Sequence, residues 1–224
     1  MKVIVFDLGG TLMEYVGMPY SWVDFYAKGL ESIIQRFQCR VPQEAVEHSL
    51  QMLKEFNPRL SGREVEYSAE YIFTQILELW HMEALIPDCI EAFWSGLQLK
   101  AELYPETVSV LQRLKKTGYK IAVLTDLPNA MPEERFRQDI SELLPYLDCY
   151  VSSSIVGYRK PNSRGLELIA EQFEVPVTEL LFIGDEEKDR ETAVRADCGF
   201  IWIQRGEKKE GSIHSLHELW EVLE

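Results

Sequence analysis

The second half of the chain alternates short apolar strands with helices, and this alternation constrains the fold more than any other feature. From Tyr104 onwards the pattern predicts strands at 120–125, 149–153, 180–184 and 200–203. Helices are predicted beside them, at 105–117, 133–144, 164–173 and 188–196. Strands that alternate with helices of this length form a parallel sheet with helices on both faces. We therefore expect an α/β fold with a doubly wound, Rossmann-like sheet.

The first hundred residues have a different pattern. Lys2–Phe6 is a β-branched and aromatic run, which predicts one more strand before the loop Asp7-Leu8-Gly9-Gly10-Thr11. Beyond this loop, apolar residues recur at helical spacing at 20–37, 43–56, 65–80 and 89–97. We expect residues 1–14 and 102–224 to form the α/β core, with residues 15–101 inserted as an all-helical cap.

The net charge and the composition limit the kinds of molecule that this protein can bind. The formal net charge of -14 disfavours nucleic acid and anionic membrane surfaces, because both bind through clustered Lys and Arg. A small phosphorylated molecule stays compatible with this charge if a metal ion and a few cations hold the phosphate. The four widely spaced cysteines predict reduced thiols, and we find no signal peptide and no apolar stretch of membrane-spanning length. We expect a cytoplasmic protein.

Polar residues follow several of the predicted strands. Asp7 follows the first, Thr125 ends the second, and Asp185 follows the fourth. The carboxyl ends of parallel strands meet at one edge of a sheet, where ligands of such folds bind. Asp189 adds a carboxylate and Lys160 adds a cation at the same edge, and carboxylates of this kind suit magnesium. The sequence therefore predicts a magnesium site at this edge.

Four segments in this order resemble the motifs of the haloacid-dehalogenase-like hydrolases. They are Val5-Phe6-Asp7-Leu8-Gly9-Gly10-Thr11-Leu12, Val123-Leu124-Thr125, Arg159-Lys160-Pro161, and Phe182-Ile183-Gly184-Asp185 with Asp189. The helical block between the first two segments is similar to the helical cap that this family carries there. Each motif is weak alone, but four in the correct order are specific.

The resemblance implies roles for these residues in phosphoryl transfer. Asp7 would be the covalent nucleophile, forming an aspartyl-phosphate, while Thr125 and Lys160 would contact the phosphoryl group. Gly10 and Asp126 would also lie at the substrate. Magnesium would be held by Asp7, by the backbone carbonyl of Gly9, by Asp185, and by Asp189 directly or through water.

The chain departs from the family pattern at Gly9, where most phosphatases of the family have a second Asp that protonates the leaving alcohol. General acid-base help is commonly worth ~10²–10⁴-fold. We therefore expect a magnesium-dependent phosphohydrolase that acts on a small phosphorylated molecule with a good leaving group. A second departure is Asp126, where Asn is common. This residue would either replace the absent acid in part or cap the following turn and point away.

Other functions stay open at this point. A non-catalytic binding or regulatory protein could keep this fold, and phosphonatases of the family also lack the second Asp but use a cap lysine, for which Lys28 and Lys54 are available. Dehalogenases of the family also lack the second Asp, but they work without a metal. Asp185 and Asp189, which would bind a metal, therefore argue against a dehalogenase. In the cap, aromatic residues around Tyr15 to Trp22 could close over a substrate.

Overall fold

A computed structural model describes residues 3–18, 22–206 and 211–223. Lys2 and Tyr20, which begin two of the predicted segments, lie outside these ranges. The chain folds into two compact units. The α/β unit comprises Met1–Glu14, Ala101–Asp126 and Arg137–Glu224, and the helical unit comprises Tyr15–Lys100 and Leu127–Phe136.

The α/β unit is built on a six-stranded parallel sheet. The strands in chain order are β1 (Val3–Phe6), β2 (Met13–Tyr15), β3 (Ala101–Leu103), β4 (Lys120–Thr125), β5 (Cys149–Ser152), β6 (Leu180–Gly184), β7 (Gly199–Ile203) and β8 (Ser212–Ile213). The sheet has the order β5-β4-β1-β6-β7-β8, and β2 pairs with β3 in a separate two-stranded sheet. Because β1 lies between β4 and β6, the residue that follows β1 is at the centre of the sheet edge.

Five helices lie between β2 and β3, and one or two helices separate each later pair of strands up to β7. In chain order they are α1 (Tyr26–Phe37), α2 (Gln43–Glu55), α3 (Pro58–Ser61), α4 (Ala69–Glu78), α5 (Ile86–Leu97), α6 (Thr107–Lys116), α7 (Glu133–Asp139), α8 (Ser153–Val156), α9 (Arg164–Phe173), α10 (Glu187–Ala196) and α11 (Leu219–Leu223). The predicted α/β class with a Rossmann-like sheet is confirmed.

The sheet core explains why these residues form a parallel sheet. All four residues of β1 are buried, so both faces of the strand are covered, as the unbroken apolar run predicts. On one face, Val5 and Phe182 pack with Leu166 and Ile169 of α9. Burying large aliphatic and aromatic side chains in this way contributes about 1.5–3 kcal/mol each.

Several boundaries differ from the predicted ones. The helix predicted at 65–80 begins only at Ala69, because the Ser68 hydroxyl accepts the Tyr71 N–H (3.1 Å) and caps the helix there. The helix predicted at 133–144 ends at Asp139. Strand β8 has two residues, too few for periodicity to reveal.

The helical unit has its own core, formed chiefly by α1, α4 and α5. Tyr26, Phe73 and Phe93 are buried within it. Residues 127–136, which follow β4 in the chain, belong to this unit. The Trp94 indole donates to the Ala130 carbonyl (2.8 Å), and the Asn129 amide donates to the Leu53 carbonyl (3.1 Å).

The aromatic residues near the start of this unit contact one another. Tyr15 and Trp22 meet edge to face with ring centroids 5.1 Å apart, and Trp22 lies 6.1 Å from Trp94. These contacts are typical of core packing. Their suggested closure over a substrate stays a prediction. Within the described ranges, none of the helices combines the length and apolar content that crossing a bilayer requires.

Candidate active site

Asp7 follows β1 directly, and its backbone N–H donates to the Ile183 carbonyl at the end of β6 (2.9 Å). Its side chain is buried beside a lysine from a distant loop. The Lys160 Nζ lies 2.6 Å from Oδ1 of Asp7 and 2.6 Å from Oδ1 of Asp189. All three side chains are at most 7% exposed. The structure thus brings together the three charged residues that the sequence placed at the sheet edge.

Three carboxylates lie together at this site, and two of them contact Lys160. Asp7, Asp185 and Asp189 each offer an oxygen, and these oxygens lie within 4.8 Å of one another. Among the described residues, Oδ1 of Asp185 is buried and has no hydrogen-bond partner. A buried carboxylate oxygen without a partner costs free energy unless a cation or donor occupies the space beside it. The donor set fits a hard divalent cation such as magnesium.

The pKa shifts of the charged residues in this cluster also favour a bound cation. Burial raises the pKa of Asp7 to about 7, the charge of Asp189 adds to this, and Lys160 and Lys188 counteract it. Burial and the charge of Asp7 raise the pKa of Asp185 to about 8. Burial would lower the pKa of Lys160, but the charges of Asp189 and Asp7 outweigh it and raise that pKa well above its ordinary value. Lys188 is itself paired with Asp126 and Glu186, so the three carboxylates keep uncompensated negative charge, which a divalent cation would neutralise.

The loop from Leu8 to Met13 is tightly bonded to itself and to the rest of the α/β unit. The Leu8 carbonyl accepts the N–H groups of Thr11, Leu12 and Met13, and the Met13 carbonyl accepts the Gly10 N–H. For the Gly9 carbonyl, no hydrogen-bond partner is found among the described residues. Gly9 is an exposed residue, and a carbonyl without a hydrogen-bond partner is compatible with the cation-ligand role expected for Gly9.

Gly10 packs directly against the carboxylate cluster. Its φ is +76°, and a Cβ placed on it would lie 2.1 Å from Oδ2 of Asp185. Only glycine fits both the left-handed backbone and the close approach. The contact places Gly10 beside a candidate metal ligand, near the position where a bound phosphoryl group was expected.

Thr125 ends the neighbouring strand β4, and Asp126 follows it. Thr125 is buried. Asp126 accepts the Lys160 backbone N–H at Oδ1 (3.0 Å), and its Oδ2 lies 3.1 Å from the Lys188 Nζ. Burial would raise the pKa of Asp126, but the charges of Lys188, Arg159 and Lys160 outweigh it and lower that pKa. These contacts indicate that Asp126 is an ionised carboxylate that holds the Lys160 loop. They favour this role over the two roles considered from the sequence, a substitute acid and a turn cap that points away.

Lys188 was not recognised in the sequence. It lies in the first turn of α10, where Asp189 accepts the Glu186 N–H (2.9 Å) in a capping box, and its Nζ is 3.2 Å from Oε2 of Glu186. Burial would lower the pKa of Lys188, but the charge of Asp126 raises it. The only available signal was its position inside the Asp185 to Asp189 motif, which does not distinguish it from a solvated lysine. The cap lysines Lys28 and Lys54 are both exposed.

An α/β core with a carboxylate and lysine site at its strand ends, and with a helical unit in the same chain, defines a class of α/β proteins that bind ligands at the carboxyl ends of the strands. A family model described as haloacid dehalogenase-like hydrolase matches residues 1–197. The chain belongs to this family, as the four motifs indicated.

Individual relatives are more distant. The phosphoglycolate phosphatase of Aliivibrio fischeri is 23% identical over 198 residues, which is 88% of this chain and 82% of that protein. That of Aquifex aeolicus is 24% identical over 200 residues, 88% of this chain and 81% of that protein. Among solved structures, a 2-haloacid dehalogenase from Pseudomonas syringae has a TM-score of 0.70 at 20% identity, covering 100% of this chain and 98% of that one. At this identity the likeness shows the fold alone.

Proposed function

We propose that the protein is a magnesium-dependent phosphohydrolase that uses Asp7 as a covalent nucleophile on a small phosphorylated molecule with a good leaving group. The contact between Lys160 and Asp7, inside a cluster of three carboxylates with an unpartnered Asp185 oxygen, carries this proposal. Related proteins named phosphatases support the reaction class.

Magnesium, when bound, would supply positive charge that offsets the carboxylates and the phosphoryl oxygens. Asp7, Asp185 and the Gly9 carbonyl would hold it. Asp189 is already engaged at both oxygens, by the Glu186 N–H and by Lys160. We therefore assign Asp189 a role through water and in positioning Lys160.

The protein residues then perform a two-step displacement. An oxygen of Asp7 attacks phosphorus, the bond from phosphorus to the leaving oxygen breaks, and the leaving group departs with the electron pair. Water next attacks the phosphorus of the aspartyl-phosphate, which releases the Asp7 carboxylate and inorganic phosphate. Lys160 and Thr125 hold the phosphoryl oxygens during both steps, because charge stabilisation supplies most of phosphoryl-transfer catalysis.

Gly9 determines which leaving groups this site serves. Without an acid at position 9, the leaving oxygen departs unprotonated, so acyl phosphates and aryl phosphates should react faster than alkyl phosphates. Asp126 does not fill this gap, because its contacts with Lys188 and the Lys160 N–H favour the ionised form.

The test is hydrolysis of acetyl phosphate and para-nitrophenyl phosphate by the full chain, with magnesium or with chelator. We expect phosphate release that depends on magnesium and is lost in Asp7→Asn. Asp197→Asn is the matched control, because it makes the same change at an exposed position of the same unit, in a left-handed conformation that Asn tolerates.

The outcome separates the alternatives. No magnesium- and Asp7-dependent hydrolysis of either compound would favour a non-catalytic binding protein. Two further substrates are run in parallel. Metal-independent halide release from a 2-haloacid would indicate a dehalogenase, and cleavage of phosphonoacetaldehyde would indicate a phosphonatase.

A further inference from the structure

Arg205 follows β7 and reaches the loop after the nucleophile. Its Nε donates to the Gly10 carbonyl (3.2 Å), and its Nη2 donates to the Thr11 carbonyl (2.6 Å). Its Nη1 pairs with Oε1 of Glu106 (2.7 Å). The guanidinium carbon also lies 3.5 Å from the centroid of the Tyr104 ring. The side chain is 19% exposed, so these contacts are largely shielded from water.

The partners of Arg205 form a rigid base. Glu106 precedes α6 and also accepts the Ser215 hydroxyl (3.4 Å). Burial would raise the pKa of Glu106, but the hydrogen bond from Arg205 outweighs it and lowers that pKa. The Tyr104 N–H and the Thr107 hydroxyl hold the next carbonyl of the loop, that of Leu12 (3.1 and 2.8 Å).

These bonds single out the Gly9 carbonyl. Arg205 holds the two carbonyls that come directly after it, and the start of α6 holds the following one. The Gly9 carbonyl shares its peptide plane with the Gly10 N–H, which donates to the Met13 carbonyl (2.9 Å). Arg205 fixes the next two peptide planes, so the Gly10 backbone that joins them to the Gly9 carbonyl has little freedom to rotate. The same bonds keep Gly10 against the Asp185 carboxylate.

We propose that Arg205 is a positioning residue for the divalent-cation site. By clamping the Gly10 and Thr11 carbonyls to Glu106, it holds in place the loop that carries the Gly9 carbonyl, together with the bond from the Gly10 N–H to the Met13 carbonyl. This inference rests on the metal site of the proposed function. Groups that orient metal ligands without touching the metal typically contribute 10–100-fold in affinity.

The clamp needs an arginine, because its three acceptors lie around the edge of one planar guanidinium group. These acceptors are the Gly10 carbonyl, the Thr11 carbonyl and the Glu106 carboxylate. A guanidinium presents several N–H donors in a fixed fork and stacks on an aromatic ring at the same time. A lysine ammonium is a compact charge on a flexible stem and does not span the same acceptors. Arg205→Lys should therefore restore the clamp only in part.

The experiment measures Mn²⁺ binding to the substrate-free full chain by electron paramagnetic resonance of the free ion. We compare the wild type with Arg205→Met, Arg205→Lys and the control Arg113→Met. Arg113 also stacks on an aromatic residue of the same unit, Trp220, at 3.8 Å. We expect Arg205→Met to weaken binding by about 10-fold or more, Arg205→Lys to weaken it less, and Arg113→Met to leave it unchanged.

A second readout separates positioning from general damage. The magnesium concentration for half-maximal hydrolysis should rise in Arg205→Met, while kcat at saturating magnesium largely recovers. Wild-type affinity for Mn²⁺ in Arg205→Met would overturn the inference, whatever its thermal stability. Should Arg205→Met not fold, Glu106→Gln takes its place, with a smaller loss of affinity expected and unchanged affinity overturning the inference.

The two proposals fail in different ways. Asp185→Asn shows whether the measured ion occupies the carboxylate cluster. If Asp185→Asn does not reduce the Mn²⁺ binding seen in the wild type, or if the wild type binds no Mn²⁺, the metal site of the proposed function is wrong. The proposed role of Arg205 is then wrong as well. If the wild type binds and Arg205→Met binds equally well, only the role of Arg205 is wrong.

Discussion

Gly9 is the residue that most limits the chemistry of this site. A Cβ placed on Gly9 would have no atom within 4 Å, and its φ lies outside the left-handed range. An aspartate therefore fits at position 9 without strain. We predict that Gly9→Asp raises kcat/KM for alkyl phosphates by about 10²-fold or more, because it supplies the missing acid. Acetyl phosphate, whose leaving group needs no proton, should gain little.

Gly9→Asn is the control for this change, since it adds the same volume without an acid. The comparison is made by measuring kcat/KM for 2-phosphoglycolate and acetyl phosphate with all three proteins. An equal gain on both substrates, or a gain in Gly9→Asn as well, would contradict the leaving-group argument.

The ion pair between Asp126 and Lys188 should contribute to the stability of the site. Asp126→Asn keeps an oxygen that can accept the Lys160 N–H but loses the charge that faces Lys188. Lys188→Met leaves a carboxylate that is 6% exposed without this partner. Residues in direct contact show coupling of about 0.5–3 kcal/mol, and we expect a value in this range from a double-mutant cycle of chemical denaturation. Strict additivity would show that the pair does not stabilise the site.

At the level of elements, the sequence predicts most of what is locally encoded. Strands β1, β4 and β6 each contain four consecutive apolar residues, and the residues at their carboxyl ends converge as the topology requires. The place of residues 127–136 in the helical unit has no local signal, because it depends on long-range bonds such as that from Asn129 to Leu53. The sequence did not predict the roles of Lys188 and Arg205 for the same reason. Contacts between residues that are distant in the chain leave no periodic pattern in the sequence.

The contact between α1 and α5 gives a prediction for the helical unit. Gly29 of α1 faces Phe93 of α5, and a Cβ on Gly29 would lie 2.4 Å from that ring. Phe93 is fully buried and packs on Phe73 at 5.3 Å, so it has no room to move. Gly29→Ala should therefore lower the free energy of unfolding by about 1–3 kcal/mol, despite the better helix propensity of Ala.

Ser95→Ala serves as the control for this substitution, because Ser95 is an exposed residue of the same helix, α5. Exposed substitutions of this kind usually change the free energy of unfolding by less than about 0.5 kcal/mol. Unfolding in urea, followed by circular dichroism, should show a clear loss for Gly29→Ala and little change for Ser95→Ala. An equally small change in both variants would mean that the contact between α1 and α5 adjusts more easily than its packing indicates.

For the whole molecule, negative charge dominates. The net charge is -14, and three carboxylates meet in the α/β unit, where Lys160 contacts two of them. Both the overall field and the local cluster favour a bound cation. Binding to the folded state alone stabilises it by mass action. The stability of the protein should therefore depend on magnesium in the absence of any substrate.

We predict that free magnesium at a hundredfold its Kd raises the free energy of unfolding by about 2.7 kcal/mol. A shift of 1 kcal/mol changes Tm by roughly 2–4 °C for a chain of this size, so differential scanning calorimetry should detect it. Asp185→Asn should abolish the magnesium shift and, by removing one of three repelling carboxylates, raise the Tm of the metal-free protein. Asp197→Asn should keep the wild-type shift. An equal magnesium shift in Asp185→Asn would place the stabilising ion elsewhere and contradict the assignment of the carboxylate cluster.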